Sequence, residues 1–278
     1  ESSRLLLGEP DEIDFRYSNI LLMLGHVETF SGNYKDARKL YDNSIEFLNF
    51  RQKPTYFQFP VFTYFYERDY EQAIISFSKM RSEINTSDQD QEWKTENITL
   101  MEENIFVSHL HNSNEQGANK SLQQIAGFKR NELNSYLTSG ASREQLLTIK
   151  NNNDIDLQEL RLWKDIIFGA SNVEQQLNRL KTLLEKNLAQ DPNAMTLYHK
   201  YSGYAAIMAG DDQAAIRHYS VISNIEMDDD NYHSYFYAIA LRGSGDTEKS
   251  SAILKRVAEN TFATRGAALV QMLAKRQL

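Results

Sequence analysis

The chain has 278 residues, 41% of them hydrophobic, enough to bury a sizeable core; four prolines and 12 glycines favour long helices over a many-turned β fold. With no cysteine, disulfides, thiolate metal sites and cysteine nucleophiles are excluded. A net charge of -8 and a pI near 5.4 argue against direct nucleic-acid contact, and no run approaches the length of apolar sequence that a membrane span needs.

Residues 1–17 carry Leu5, Leu6 and Leu7, then Gly8 and Pro10, which interrupt a helix and predict a short lead-in. A start at Glu1, with no methionine and no signal-like apolar segment, fits either a mature form or an excised domain, so the compartment stays open between cytoplasmic and exported. From Ser18 to Leu48 a helix with Leu21, Leu24 and Gly25 leads to Gly32 and a second helix with Tyr34, Ala37, Tyr41 and Ser44. Pro54 to Ile84 repeats the layout with Phe57 and Val61, then Tyr70, Ala73 and Phe77, and Arg68 and Asp69 stand at the turn where glycine is usual. Pro60 predicts a kink near Phe57 to Pro60, or a late helix start.

Residues 85–91 form a polar loop, followed by an apolar-periodic helix from Glu92 to His111 carrying Trp93, Ile98, Met101, Ile105, Val107 and Leu110. A turn to Glu115 and a helix from Gln116 through Ile125 toward Leu137 complete a degenerate pair. Gly140 breaks the chain at 138–141, Ser142 to Ile149 reads as a short helix, and Asn151 to Asp154 reads as a second break. Residues 138–154 are therefore the expected linker or hinge between 18–137 and 155–278. Asp156 to Phe168 and Val173 to Leu188 pair through Trp163, Ile166, Ile167, Leu177, Leu180, Leu183 and Leu184.

Met195 to Asn260 holds the two strongest copies. In the first, Gly203 sits inside a helix, where it costs roughly 1 kcal/mol against alanine, so close approach of a second helix is predicted. Gly210, Asp211 and Asp212 make the turn, and Ala215 and Tyr219 follow. Ala238, Gly245, Ser250 and Leu254 repeat that order 35 residues along. Phe262 to Lys275 is one amphipathic helix, suited to cover a last apolar face.

This order of small residue, turn glycine, small residue and large apolar residue resembles the tetratricopeptide repeat, whose period is about 34. The resemblance implies an all-α, right-handed α-solenoid of about five helix-turn-helix pairs with a C-terminal capping helix. It also places four positions of each first helix on the inner, concave face: Asn19, Leu22, His26 and Thr29; Thr55, Gln58, Phe62 and Phe65; Leu197, Lys200, Tyr204 and Ile207; Tyr232, Tyr235, Ile239 and Arg242. The mixture of aromatics, cations and amides suits a binding surface. The expected peptide-binding residues are His26, Gln58, Phe62, Phe65, Lys200, Tyr204, Tyr232, Tyr235 and Arg242. The family's clamp for a terminal carboxylate is not carried over, because Leu22 and His26 occupy two of its places and Lys200 alone fits.

Chemistry-bearing patterns are sparse. His109 and His111 are two apart and point away from each other on a helix. His199 and His218 lie on antiparallel helices and are placed to approach, with no carboxylate spaced to complete a ligand set. His26 and His233 are isolated, and Asp228 to Asp230 lack the alternating ligands and central glycine of a calcium loop, so they read as solvated loop and helix cap. No phosphate loop, nucleophile elbow or paired-histidine zinc motif occurs. The expectation is a non-catalytic scaffold without metal or cofactor that binds a peptide or partner protein in an aromatic concave groove. The alternative is a ligand- or peptide-sensing regulatory domain of a larger signalling or transcription protein, closing about residues 138–154.

Overall fold

The structure, a computed structural model, describes residues 10–188 and 191–278, with side chains from Phe15 onward. The described residues form fourteen α-helices and no strand. Six hairpins follow one another: α1 (Pro10–Phe30) with α2 (Tyr34–Glu46), α3 (Lys53–Glu67) with α4 (Tyr70–Thr86), and α5 (Gln91–His111) with α6 (Glu115–Thr138). Then come α7 (Arg143–Ile167) with α8 (Val173–Glu185), α9 (Thr196–Met208) with α10 (Asp212–Tyr219), and α12 (Asn231–Gly243) with α13 (Thr247–Ala258). The short α11 (Asn224–Asp229) joins the last two hairpins, and α14 (Arg265–Gln277) closes the chain. No described helix is long and apolar enough to cross a membrane.

All six hairpins reverse through one turn. The amide of Asn33 donates to the Glu28 carbonyl, and the same six-to-one bond recurs from Asp69 to Tyr64, Asn114 to His109, Ala170 to Asp165, Asp211 to Ala206 and Asp246 to Leu241. The residue before each donor is left-handed. Gly32, Gly169, Gly210 and Gly245 fill four of these places at no steric penalty, while Arg68 (φ 60°) and Ser113 (φ 54°) fill the others against roughly 1 kcal/mol of backbone strain. The donors then start the next helix: the side chains of Asp69, Asn114, Asp211 and Asp246 accept from the amides of Gln72, Gly117, Ala214 and Lys249.

Because the turn is shared, it sets the same phase for the second helix in five of the six hairpins. The fifth residue after the left-handed position is Ala37, Ala73, Ala118, Ala215 or Ser250, and each is fully buried against its partner helix. The ninth is Tyr41, Phe77, Leu122, Tyr219 or Leu254, also buried. The fourth hairpin differs because Ala170 to Asn172 delay α8, so Leu180 and Leu184 take the inward places. The glycine in the middle of α1 and that in α9 face these large residues. A Cβ built on Gly25 would lie 2.6 Å from the Tyr41 ring, and one on Gly203 would lie 2.7 Å from the Tyr219 ring.

Several boundaries differ from the sequence expectation. Residues 10–17 are helical rather than lead-in, since Pro10 occupies the first helical position, where its missing N–H is no loss. Leu5, Leu6 and Leu7 lie outside the described residues. Helix α7 is continuous through Asn151 to Asp154, so of the two breaks expected within 138–154 only the first is a turn, at 139–142, where Gly140 is left-handed and Ser142 forms a capping box with Gln145. The asparagines do not break the helix because their amides are engaged elsewhere. Asn151 donates to Asn187 (2.7 Å) and Asn153 to Glu132 (3.2 Å), while Lys150 and Asp154 pair at 2.6 Å along the helix. Helix α3 runs through Pro60, with the Thr63 hydroxyl donating to the Pro60 carbonyl at 2.6 Å.

Each hairpin packs on the next, and α14 turns back to contact α12, α13 and also α3. The last helix therefore reaches the second hairpin. Substituting Gly203→Ala removes a helix-propensity penalty of about 1 kcal/mol, yet drives a methyl into the Tyr219 ring. Urea unfolding is expected to show a net loss of about 1–2 kcal/mol; a gain would show that the crossing is loose.

Candidate functional site

Counting back from the six turns extends the inner face to the third and fourth hairpins, where the sequence offers no signature. The added positions are Leu100, Glu103, Val107 and Leu110 on α5, and Asp156, Glu159, Trp163 and Ile166 on α7. The signal that locates them is the register from Ser113 and Gly169.

The aromatic residues expected to line an open groove pack against one another. Phe65 lies 6.5 Å from Phe77 and 5.6 Å from Tyr70 between ring centroids, Tyr70 lies 5.8 Å from His111, and His111 meets Trp163 and Tyr232 at 6.1 and 6.0 Å. Tyr232 continues to Tyr204 (5.6 Å), and Tyr204 to Phe236 (4.5 Å). Trp163 Nε1 donates to the Tyr232 hydroxyl at 3.2 Å, and that hydroxyl donates to Tyr204 at 3.1 Å. Phe62, Phe65, Tyr204, Tyr232 and Tyr235 are all buried. This column runs from the second hairpin to the sixth because α14 joins those two ends.

The remaining expected residues are held by their neighbours. His26 is buried, its Nδ1 2.7 Å from the Tyr41 hydroxyl, and burial pushes its pKa down. Gln58 accepts from the Asn104 amide at 3.2 Å, Lys200 pairs with Asp230 at 2.9 Å, and Arg242 donates to the carbonyl (2.9 Å) and side chain (2.7 Å) of Gln277. Asp230 caps α12 through the His233 amide as expected, whereas Asp228 and Asp229 form the end of α11 rather than a loop, and Asp228 pairs with Arg256. The structure thus brings Tyr204 and Tyr232 into contact, joins Tyr235 to them through Phe236, and leaves His26 apart in the first hairpin.

Charge on the inner face gathers around Arg265. Its guanidinium lies 6.0 Å from the Trp163 ring, with Nη1 3.4 Å from Asn104 Oδ1. Burial raises the carboxyl pKa of both Glu103 and Glu159, the positive charge of Arg265 partly opposes it, and the Tyr201 hydroxyl donates to Glu159 at 2.9 Å. Burial, with the charges of Arg68 and Arg265, pushes His111 down to about 4. Its Nε2 has no hydrogen-bond partner, which suits a ring kept neutral.

The largest run of open apolar surface among the described residues lies elsewhere, on the outside of α1. Ile20, Met23, Leu24 and Val27 follow helical spacing and are 57%, 57%, 47% and 59% exposed, while Leu21 and Leu22 of the same helix are buried. In the other five hairpins the first helix is covered by the second helix of the hairpin before: α2 on α3, α4 on α5, α6 on α7, α8 on α9 and α10 on α12. Sequence periodicity missed this stripe because both faces of α1 are apolar. Among known proteins, no family model matches the chain and no curated protein matches it significantly.

The buried histidines make stability depend on pH. The folded pKa of His111 lies below the ordinary 6.5, so its contribution is complete above pH 6.5 and is lost as pH falls toward 4, where the unfolded chain binds the extra proton. The expected loss is on the order of 3 kcal/mol. His26 and His233 shift in the same direction. Chemical unfolding between pH 7 and 4 should show this slope, and His111→Phe should flatten part of it; an unchanged slope would assign the loss to other groups.

Proposed function

We propose that the chain is a non-catalytic protein-interaction scaffold, built as a right-handed α-solenoid of tetratricopeptide-like hairpins with α14 as its cap. The repeated left-handed turn and the small-then-large order behind it support the repeat reading. The observation that carries the interaction reading is the exposed stripe of Ile20, Met23, Leu24 and Val27.

The occupant that fits this stripe is an amphipathic helix of a partner protein. Every other first helix in the chain is covered by such a helix, and four apolar residues at i, i+3, i+4 and i+7 present the matching seam. The inner aromatic face is the weaker partner surface because its rings already contact one another. Closure about 138–154 is likewise less supported, as α7 passes through most of that span unbroken.

A photocrosslinking amino acid placed at Met23 in the native source is expected to give one discrete adduct with a different protein, abolished by Val27→Asp. The same crosslinker at Ile75, exposed on α4, should give none. A self-adduct, an internal link to Leu5–Leu7 or no adduct would each overturn the partner-helix reading.

A further inference from the structure

His199 on α9 and His218 on α10 face each other across the fifth hairpin, with Nδ1 atoms 3.2 Å apart and ring centroids 5.5 Å apart. Both side chains are half-buried, so solvent reaches the pair. Among the described residues this contact is the only hydrogen bond either ring makes.

A neutral imidazole carries one N–H and one lone pair, so two Nδ1 atoms at this distance share a single proton. Moving that proton to Nε2 of the same ring leaves two Nδ1 lone pairs aimed into one gap. Neutral histidine binds zinc, copper or nickel at about 2.0–2.1 Å, and two such bonds to nitrogens 3.2 Å apart subtend about 100° at the ion. That angle falls between square and tetrahedral coordination.

We propose that His199 and His218 form a two-imidazole chelate for one divalent transition-metal ion, copper, nickel or zinc, with water completing its coordination. Burial lowers the pKa of both rings, with Lys181 adding to the effect at His199, and His199 and then Arg217 adding to it at His218. In the ligating tautomer each neutral ring keeps its one hydrogen on Nε2. Magnesium and calcium are disfavoured, because no carboxylate joins the pair and Lys181 and Arg217 repel an ion that imidazole does not attract.

The other four histidines do not compete. His26 and His233 are buried, His109 and His111 each have one ring nitrogen sealed from solvent, and none of the four has a second histidine nitrogen within hydrogen-bond distance. The chelate joins two helices of one hairpin, so bound metal stabilises the fold by mass action.

The test is calorimetric titration of the tag-free full chain with copper, nickel or zinc chloride alone, with circular dichroism confirming that each variant is folded. One ion per chain is expected, tightest for copper. His218→Gln should weaken binding by about 10- to 100-fold, and magnesium chloride should give no heat. Paramagnetic resonance of the copper-loaded chain reads the donors directly: two nitrogens in the wild type and one in His199→Phe or His218→Gln. No binding at millimolar metal, equal affinity in the variants, or a single nitrogen donor in the wild type would overturn the site.

Discussion

The fold depends on a chain reversal in which a left-handed residue lets a six-to-one hydrogen bond close the end of one helix and lead directly into the next. This reversal is the same in six hairpins, and in five of them it sets the rotational phase of the second helix. Five residues later the chain must approach the first helix closely, and only alanine or serine is found there in five of the six. Nine residues later a ring or leucine fills the space beside that approach. At Gly25 and Gly203 the requirement passes to the opposite helix, since a tyrosine ring needs bare backbone to lie on. A local turn thereby dictates the order of small and large residues over most of the chain.

Stacking hairpins in one phase makes an inner face, and the contact of α14 with α3 decides what that face becomes. Rings from the second, third, fourth, fifth and sixth hairpins meet there at edge-on and tilted angles worth roughly 0.5–1.5 kcal/mol a pair beyond the area they bury. The polar atoms among them are largely satisfied in series, from Trp163 to Tyr232 to Tyr204, which avoids the penalty of a lone buried hydroxyl. Arg265, delivered by α14, supplies positive charge where Glu103 and Glu159 are buried. The closing helix thus contributes both packing and electrostatic balance to a surface formed by distant hairpins.

Legibility in the sequence follows locality. The first, second, fifth and sixth hairpins are readable because turn, small residue and large residue lie within one stretch, as in Gly32, Ala37 and Tyr41. The third and fourth are poorly readable: Ser113 disguises one turn, and two extra residues shift the register of α8 in the other. The asparagines at 151–153 resemble a break because their competition with the backbone is local, whereas the bonds that restore the helix come from Asn187 and Glu132, outside that local stretch. The inner positions share one register, but whether their rings meet solvent or one another depends on α14 reaching α3, which no periodicity encodes. Spacing alone puts His199 and His218 on facing helices; their 3.2 Å separation needs the turn geometry.

The open apolar surface lies on α1 for the same reason. A first helix in this arrangement carries two apolar faces, one for its own partner and one for the hairpin before it. In α3, α5, α7, α9 and α12 both are used. In α1 the inward residues Leu21 and Leu22 are covered, while Ile20, Met23, Leu24 and Val27 meet solvent. At the other extreme α14 packs on α12, α13 and α3, so among the described residues the uncovered apolar face is that of α1. A surface whose five counterparts are each met by a helix has the shape and spacing to receive a helix, and that complementarity, rather than exposure alone, gives the stripe its meaning.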